Sequence, residues 1–298
     1  MTGGQEPGAR VVFSHGVVRV DPAMAMPDGA VAAQLSVISP GTELRRLAAT
    51  CTGPDHPAGY MTLTRPAAPG GECLFAPVPH GAPVRRTDSR ALRVPSGIGL
   101  ELVALARFQL MAALGLVRVI HAVSATRTVC VVGGGPVALG CVLELHRLGV
   151  AKVLVVTRHP RPAAGDLSGV SVSPAGTRGT ADVVIDCTGR ADTALDMVTT
   201  GGVLGLLGTP DPDTVLPADQ LHRRGLSTVG MHELAGYHPP SYHALFTTVL
   251  AWTVSHLEGD MVRSWCRRVP GDRAEQVYAE LTGPHRPDEP LLLLDWTS

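Results

Sequence analysis

The spacing of apolar residues changes twice along the chain. Up to about residue 100 it is that of short strands: Val11–Phe13, Val17–Val20, Ala30–Val37 and Cys73–Ala76, with Ala91–Val94 as one more, separated by Pro and Gly clusters. From Leu100 to Val119 the spacing turns helical (LELVALARFQLMAALGLVRV) and predicts linking helices. Strand and helix patterns then alternate. Thr128–Val132, Lys152–Val156, Val170–Val172, Val183–Asp186, Val203–Leu207 and Leu226–Val229 are predicted strands at βαβ spacing. Ala191–Val198 reads as a helix stopped by Gly201 and Gly202, and Ser241–Leu257 as a longer amphipathic helix. Segments between the second, third and fourth of these strands are short and broken by Pro and Gly, so the crossovers there should be a turn or two. The tail reads as strand Val262–Val269, helix Asp272–Leu281 and strand Leu291–Trp296.

The second of these regions is organised around TVCVVGGGPVALGCVLELHRL, Thr128–Leu148. An apolar strand runs straight into Gly133-Gly134-Gly135-Pro136-Val137-Ala138, and Val137, Ala138, Cys141, Val142, Leu145 and Leu148 then fall on one helical face, with Gly149 as the stop. This is the G-x-G-x-x-A pattern of a dinucleotide-binding turn. Gly133 permits the tight turn, Gly135 lets backbone approach a pyrophosphate, and Ala138 is small enough for helix to pack on strand. The unpaired N–H groups and dipole at the helix start then favour phosphate charge.

Composition narrows the classes. At 298 residues the chain suits two domains, and a net charge of −1 with 17% charged residues gives no electrostatic footprint for nucleic acid or a membrane surface. No apolar run reaches the roughly 18 residues that span a bilayer, and MTGGQEPGAR lacks the basic-then-apolar order of a secretion signal. The six cysteines are scattered, several within apolar patterns, as in a reducing compartment where buried Cys acts as a small hydrophobe. A cytoplasmic protein with neither nucleic-acid nor membrane partner is the expectation.

Motifs along nearly the whole chain resemble the medium-chain dehydrogenase/reductase superfamily. SVISPGTEL is similar to its early C-G-T-D segment, AGYMTL to its G-H-E segment, CVVGGGPVALG to its cofactor turn, ADVVIDCTG to its fourth-strand signature and TTGGVLGLLG to its fifth-strand approach; DRAEQVYAELTG before LLLLDW also fits. The S-P-G-T-E wording is nearest to the bacteriochlorophyllide-dehydrogenase and threonine-dehydrogenase-like branches. The resemblance implies an α/β protein with a GroES-like β-rich catalytic domain (1–100, completed by 260–298) and a Rossmann doubly wound parallel sheet (101–259). It also implies a small-molecule substrate in the cleft between them. Relatives that dimerise do so through the sixth strand, which would place a homodimer contact at Leu226–His232.

The departures matter more. Zinc-dependent members hold catalytic zinc with a Cys, a His and a third Cys, Asp or Glu; here those positions match Pro40, Tyr60-Met61 and the neighbourhood of Arg107 or Phe108, none of them a ligand. The structural zinc lobe is missing too, since no C-x₂-C spacing occurs, and Cys51, His56 and Cys73 follow no ligand pattern. No metal is expected. At the end of the second strand, NAD-preferring members carry an acid for the ribose 2′-OH; this chain has Thr157-Arg158-His159-Pro160-Arg161. Arg158 and Arg161, with His159, suit a 2′-phosphate instead, so NADP(H) is the expected cofactor. Gly133, Gly135, Pro136 and Val137 should hold its pyrophosphate, and Cys187-Thr188 and Leu207-Gly208, at strand C-terminal ends, its ribose and nicotinamide.

Without a Lewis acid, the oxygen that gains charge on hydride transfer must be met by hydrogen-bond donors. Tyr60, at the lost zinc-His position, is the first candidate. Thr42 matches the family's proton-relaying hydroxyl, or else caps the helix led by Glu43. His80, in PVPHG, lies on a loop expected to border the cleft. Glu43 matches a structural carboxylate, and His232, His238 and His243 lack regular ligand spacing. Together these residues imply a zinc-independent NADPH-dependent reductase of a C=O, C=N or activated C=C group, in a setting such as specialised metabolism. The rivals are an alcohol dehydrogenase running oxidatively and a catalytically silent NADPH-binding subunit or sensor.

Overall fold

A computed structural model describes residues 9–22, 26–66, 71–125, 128–158, 165–174, 178–284 and 286–297. The chain divides into two units, Met1–Ala104 with Leu257–Ser298, and Leu105–His256.

The first unit opens with β1 (Arg10–Ser14), β2 (Val17–Asp21), β3 (Ala30–Val31) and β4 (Ala33–Ile38), followed by α1 (Pro40–Ala49). Then come β5 (His56–Pro57), β6 (Thr62–Thr64), β7 (Cys73–Ala76), β8 (Val84–Arg85) and β9 (Leu92–Val94). The helix α2 (Leu100–Leu116) carries the chain onward. In the second unit a 3₁₀ turn at Val117–Val119 leads to α3 (Ile120–Ala125), β10 (Val129–Val132), α4 (Pro136–Arg147), β11 (Val153–Val156) and β12 (Val170–Ser173). It continues through β13 (Ala181–Asp186), α5 (Ala191–Leu195), β14 (Val198–Leu206), α6 (Ala218–Arg224), β15 (Ser227–Gly230) and α7 (Pro239–His256). The chain then returns to the first unit with α8 (Gly259–Ser264), β16 (Cys266–Pro270), α9 (Ala274–Thr282) and β17 (Leu291–Asp295).

The tail belongs to the first unit because it completes that unit's largest sheet, ordered β16-β17-β4-β6-β7-β9. β17 pairs antiparallel with β4, Leu292 opposite Ile38 and Leu294 opposite Ser36, while β16 runs parallel to β17. Val11, Phe13, Ile38, Leu47, Tyr278, Leu281, Leu292 and Leu294 form one core, so early and late segments are interdependent. The Tyr278 ring meets Phe13 edge-on at 5.2 Å between centroids.

In the second unit six parallel strands stand in the order β12-β11-β10-β13-β14-β15, the doubly wound arrangement of a Rossmann sheet. The strand order reverses between β10 and β13, where ligands of such sheets lie. Core residues Val129, Val131, Val183 and Ile185 pack against Cys141, Val142 and Leu145 of α4. α4 lies backbone to backbone on α2: a Cβ on Gly140 would sit 2.4 Å from the carbonyl carbon of Phe108. A polar chain crosses this interior, from Thr253 to Gln109 (3.0 Å), Gln109 to Glu144 (3.1 Å) and Arg147 to Glu144 (2.6 and 2.8 Å).

Several expectations need correction. The strand read over Val262–Val269 is a helix to Ser264 and a strand only from Cys266. Buried Val262 and Trp265 are three residues apart, a helical spacing, and Asp260 and Arg263 suit the two helix ends. The helix over Ala191–Val198 stops at Leu195, because Val198 is fully buried and already pairs with Ala181. The linking helices run past Val119 to Ala125. By length and composition alone, Leu100–Ser124 is apolar enough to cross a bilayer, which counting consecutive apolar residues did not foresee; most of this stretch is buried inside the protein, with Ala112, Leu116, Val119 and Val123 in the core of the second unit.

Candidate functional site

Each unit contributes chemistry-bearing groups of its own. In the second, β10 ends at Val132 and Gly133 turns the chain with φ +129°, a region that favours glycine. Its N–H donates to Val156 O at 2.8 Å, and a Cβ there would lie 3.2 Å from Thr188 Cγ2. Gly135 is the residue before α4 and Pro136 its first, so Val137 and Ala138 carry the leading N–H groups that helix geometry leaves unpaired. The first helical bond, Leu139 N–H to Gly135 O, measures 3.0 Å. A Cβ on Gly135 would meet nothing within 4 Å. An open space therefore stands over a helix N-terminus, which is the cradle a pyrophosphate needs. The turn fits the cofactor that the sequence implies.

Gly135→Val tests that reading cleanly. The backbone there, at φ −88°, accepts any side chain, and the valine would project into open space. Unfolding free energy should change by less than about 0.5 kcal/mol, while dinucleotide affinity, read by fluorescence titration, should fall at least about tenfold. Retained affinity would show that phosphate does not approach this turn.

The loop after β13 is built on a residue that the sequence reading passed over. Asp186 is 1% exposed, and its Oδ1 accepts the Thr188 N–H (2.8 Å) and hydroxyl (2.6 Å). Its carboxyl is pushed above the usual range by burial, opposed by the Thr188 bonds. Thr188 thus spends its hydroxyl proton inside its own loop, although the residue is exposed. The Cys187 thiol is held well above its ordinary range, by burial first and then by hydrogen bonding to Cys141, which makes it a poor nucleophile. Leu207 is buried in the core, and a Cβ on Gly208 would lie 2.5 Å from the Cys187 carbonyl carbon, so backbone rather than side chain lines this edge. Thr157 is buried and donates its N–H to Ser173 O, whereas Arg158 is exposed at the end of β11. His159 and Arg161 lie outside the described residues.

In the first unit α1 begins after Ser39, not at Thr42. Thr42 is half-buried within the first turn, four residues before Arg46 and so on the same face. The cap contact comes from Glu43, whose Oε1 accepts the Ser39 N–H at 2.7 Å. Glu43 Oε2 lies 2.8 Å from His80 Nε2 and accepts the Tyr278 hydroxyl; His80 Nε2 is also 3.1 Å from that hydroxyl. The side chains of Glu43 and His80 are completely buried. Burial first, then Glu43, pushes the Tyr278 phenol well above its usual range, so it stays a donor. His80 is on a loop, as expected, but its side chain is completely buried rather than open to a ligand. Its imidazole is turned inward by the buried carboxylate and lies flat on the Gly59 backbone, where a Cβ would come within 2.5 Å of three ring atoms.

Gly59 takes φ +83° and leads directly to Tyr60, which is half-buried. The Arg46 guanidinium lies over the Tyr60 ring, 5.2 Å from its centroid. Thr42, Arg46 and Tyr60 are all hydrogen-bond donors. Sequence reasoning found two of them; Arg46 carried no signal except its i+4 spacing from Thr42.

The other positions matched to zinc ligands hold none. Pro40 is the first residue of α1, Met61 is 1% exposed, and Phe108 is fully buried. Arg107 forms a nearly buried two-point ion pair with Glu233, at 2.8 and 2.9 Å. His232 accepts the Leu234 N–H, His238 meets Ser241, and His243 lies against the Tyr242 ring. Among the described residues no three His, Cys, Asp or Glu side chains converge in a metal-binding group.

No family model and no curated protein matches the chain in sequence. Solved structures do match in three dimensions. A protein described as a zinc-binding dehydrogenase, from Sinorhizobium meliloti 1021 and bound to NADP, has a TM-score of 0.72 at 19% identity, covering 98% of this chain and 100% of that one. Alcohol dehydrogenase TADH from Thermus sp. ATN1 gives 0.69 at 20% identity, with 96% and 99% covered. Acetophenone reductase from Geotrichum candidum NBRC 4597, in complex with NAD, gives 0.72 at 14% identity, with 98% of each chain covered. At these identities what is shared is the fold: the chain has the two-domain fold of these dehydrogenases, a GroES-like β-rich domain and a Rossmann domain.

Proposed function

We propose that the chain is an NADP(H)-dependent oxidoreductase of the medium-chain dehydrogenase/reductase type, working without catalytic zinc on a small organic substrate with a C=O, C=N or activated C=C group. The observation that carries this reading is the open space over Gly135 at the start of α4. Structural neighbours with NADP or NAD bound support a nicotinamide cofactor. When bound, it supplies the hydride. The Gly133–Ala138 turn holds its pyrophosphate through backbone N–H groups, and Arg158, exposed where NAD-preferring enzymes carry an acid, pairs with the 2′-phosphate. Pro40, Tyr60 and Met61 stand at the positions of zinc ligands and bind no metal, so the charge developing on the substrate falls to hydrogen-bond donors. Tyr60 gives the proton, with Thr42 on the same helix face as Arg46.

A fluorescence titration of the purified protein with NADPH and NADH, side by side, tests the cofactor half. NADPH should bind more tightly, and Arg158→Ala should weaken it by about 10- to 100-fold while leaving NADH unchanged, the value of one charge-assisted phosphate contact. NADH preference would overturn the 2′-phosphate assignment. Oxidation of NADPH by carbonyl, imine or activated C=C substrates tests the chemistry, and its absence across all three classes would favour a silent dinucleotide-binding subunit.

A further inference from the structure

We propose that Arg46 is a positioning residue that holds the negative charge Tyr60 acquires when it gives up its proton. This rests on the reading of Tyr60 as the proton donor. Arg46 is half-buried near the end of α1, and its guanidinium carbon lies 5.2 Å from the Tyr60 ring centroid. Several arginines of the same unit are paired with carboxylates, Arg10 with Asp21, Arg19 with Asp55, Arg93 with Glu72, Arg267 with Glu280 and Arg268 with Asp295, whereas Arg46, like Arg45 and Arg65, is in no ion pair among the described residues. The Tyr60 ring is what Arg46 covers. A cation over a neutral ring is held by the ring's quadrupole, and its hold tightens once the ring carries a full negative charge.

From α9, Tyr278 is close enough for a charge on Tyr60 to be felt, and Tyr278 itself stays protonated. Behind it lie the buried carboxylate of Glu43 and the imidazole of His80, both bonded to Tyr278. Glu43 opposes a second negative charge nearby, and Arg46, on the adjacent turn of α1, offsets it. In the reduction, hydride adds to the substrate carbon, the C=O π pair moves to oxygen, and that oxygen takes the Tyr60 proton. The Tyr60 O–H bond breaks and leaves phenolate, which water reprotonates because the residue is half-exposed.

Tyrosinate formation in the full-length protein, followed by ultraviolet difference absorbance against pH, reads this pairing without any substrate. The chain has four tyrosines, and the increment lost in Tyr60→Phe identifies Tyr60's own. Its midpoint should rise by about one pH unit in Arg46→Gln and return towards the wild-type value in Arg46→Lys. The alkaline limb of NADPH-dependent reduction should move with it, with KM unchanged and kcat lowered in Arg46→Gln. An unshifted midpoint in Arg46→Gln overturns the pairing whatever turnover shows. Full turnover in Tyr60→Phe overturns the donor reading separately.

Discussion

Glu43→Ala lowers the unfolding free energy by about 3–5 kcal/mol, the range for breaking a buried charged group's contacts. The carboxylate is the common acceptor for the Ser39 N–H, the Tyr278 hydroxyl and His80 Nε2. Alanine strands all three in an interior from which Glu43 and His80 are wholly excluded from solvent. Glu43→Gln keeps an acceptor but turns an N–H₂ towards the others, and should cost about half as much. Urea denaturation of the three proteins, at matched slope, measures this. A Glu43→Ala protein within about 1 kcal/mol of wild type would mean that the cluster is hydrated or contributes little, and would remove it as the support of the Gly59–Tyr60 segment.

Tyr60→Phe leaves the fold intact and lowers kcat for reduction by about 10²- to 10³-fold, equivalent to about 2.7–4 kcal/mol of transition-state stabilisation from one donor. Phenylalanine keeps the ring under Arg46 and removes only the hydroxyl. NADPH affinity should be unchanged, because the proposed dinucleotide contacts are those of the Gly133–Ala138 turn and Arg158. Steady-state kinetics on any accepted carbonyl, across pH, decides it. An unchanged kcat would transfer the proton-donor role to Thr42 or to solvent.

The parts of the molecule legible in the sequence are those in which neighbours along the chain decide the structure. Thr128–Leu148 is such a case: an apolar strand, a glycine that must take φ +129° and a helix opened by Pro136 are all local instructions. The two-residue strands β3, β5 and β8 are too short to show a period of two. The polar cluster escaped because its members come from far apart, with Tyr278 lying 235 residues from Glu43. His80 therefore read as a loop residue, and nothing local announces that a distant carboxylate will draw its ring inside. Asp186 escaped for the opposite reason. It looked like the last residue of a strand, and only the fold shows it buried beneath its own loop.

The pairing of β17 with β4 also bears on how the protein comes into being. Val37 and Ile38 leave the ribosome roughly 250 residues ahead of Leu292 and Leu293, the strand that covers their edge. Until then β4 presents unpaired N–H and C=O groups, a template for any passing strand. The Rossmann unit, by contrast, is one uninterrupted segment and can close while the first hundred residues still wait. The largest sheet of the β-rich unit therefore cannot be completed before the tail of the chain has been made.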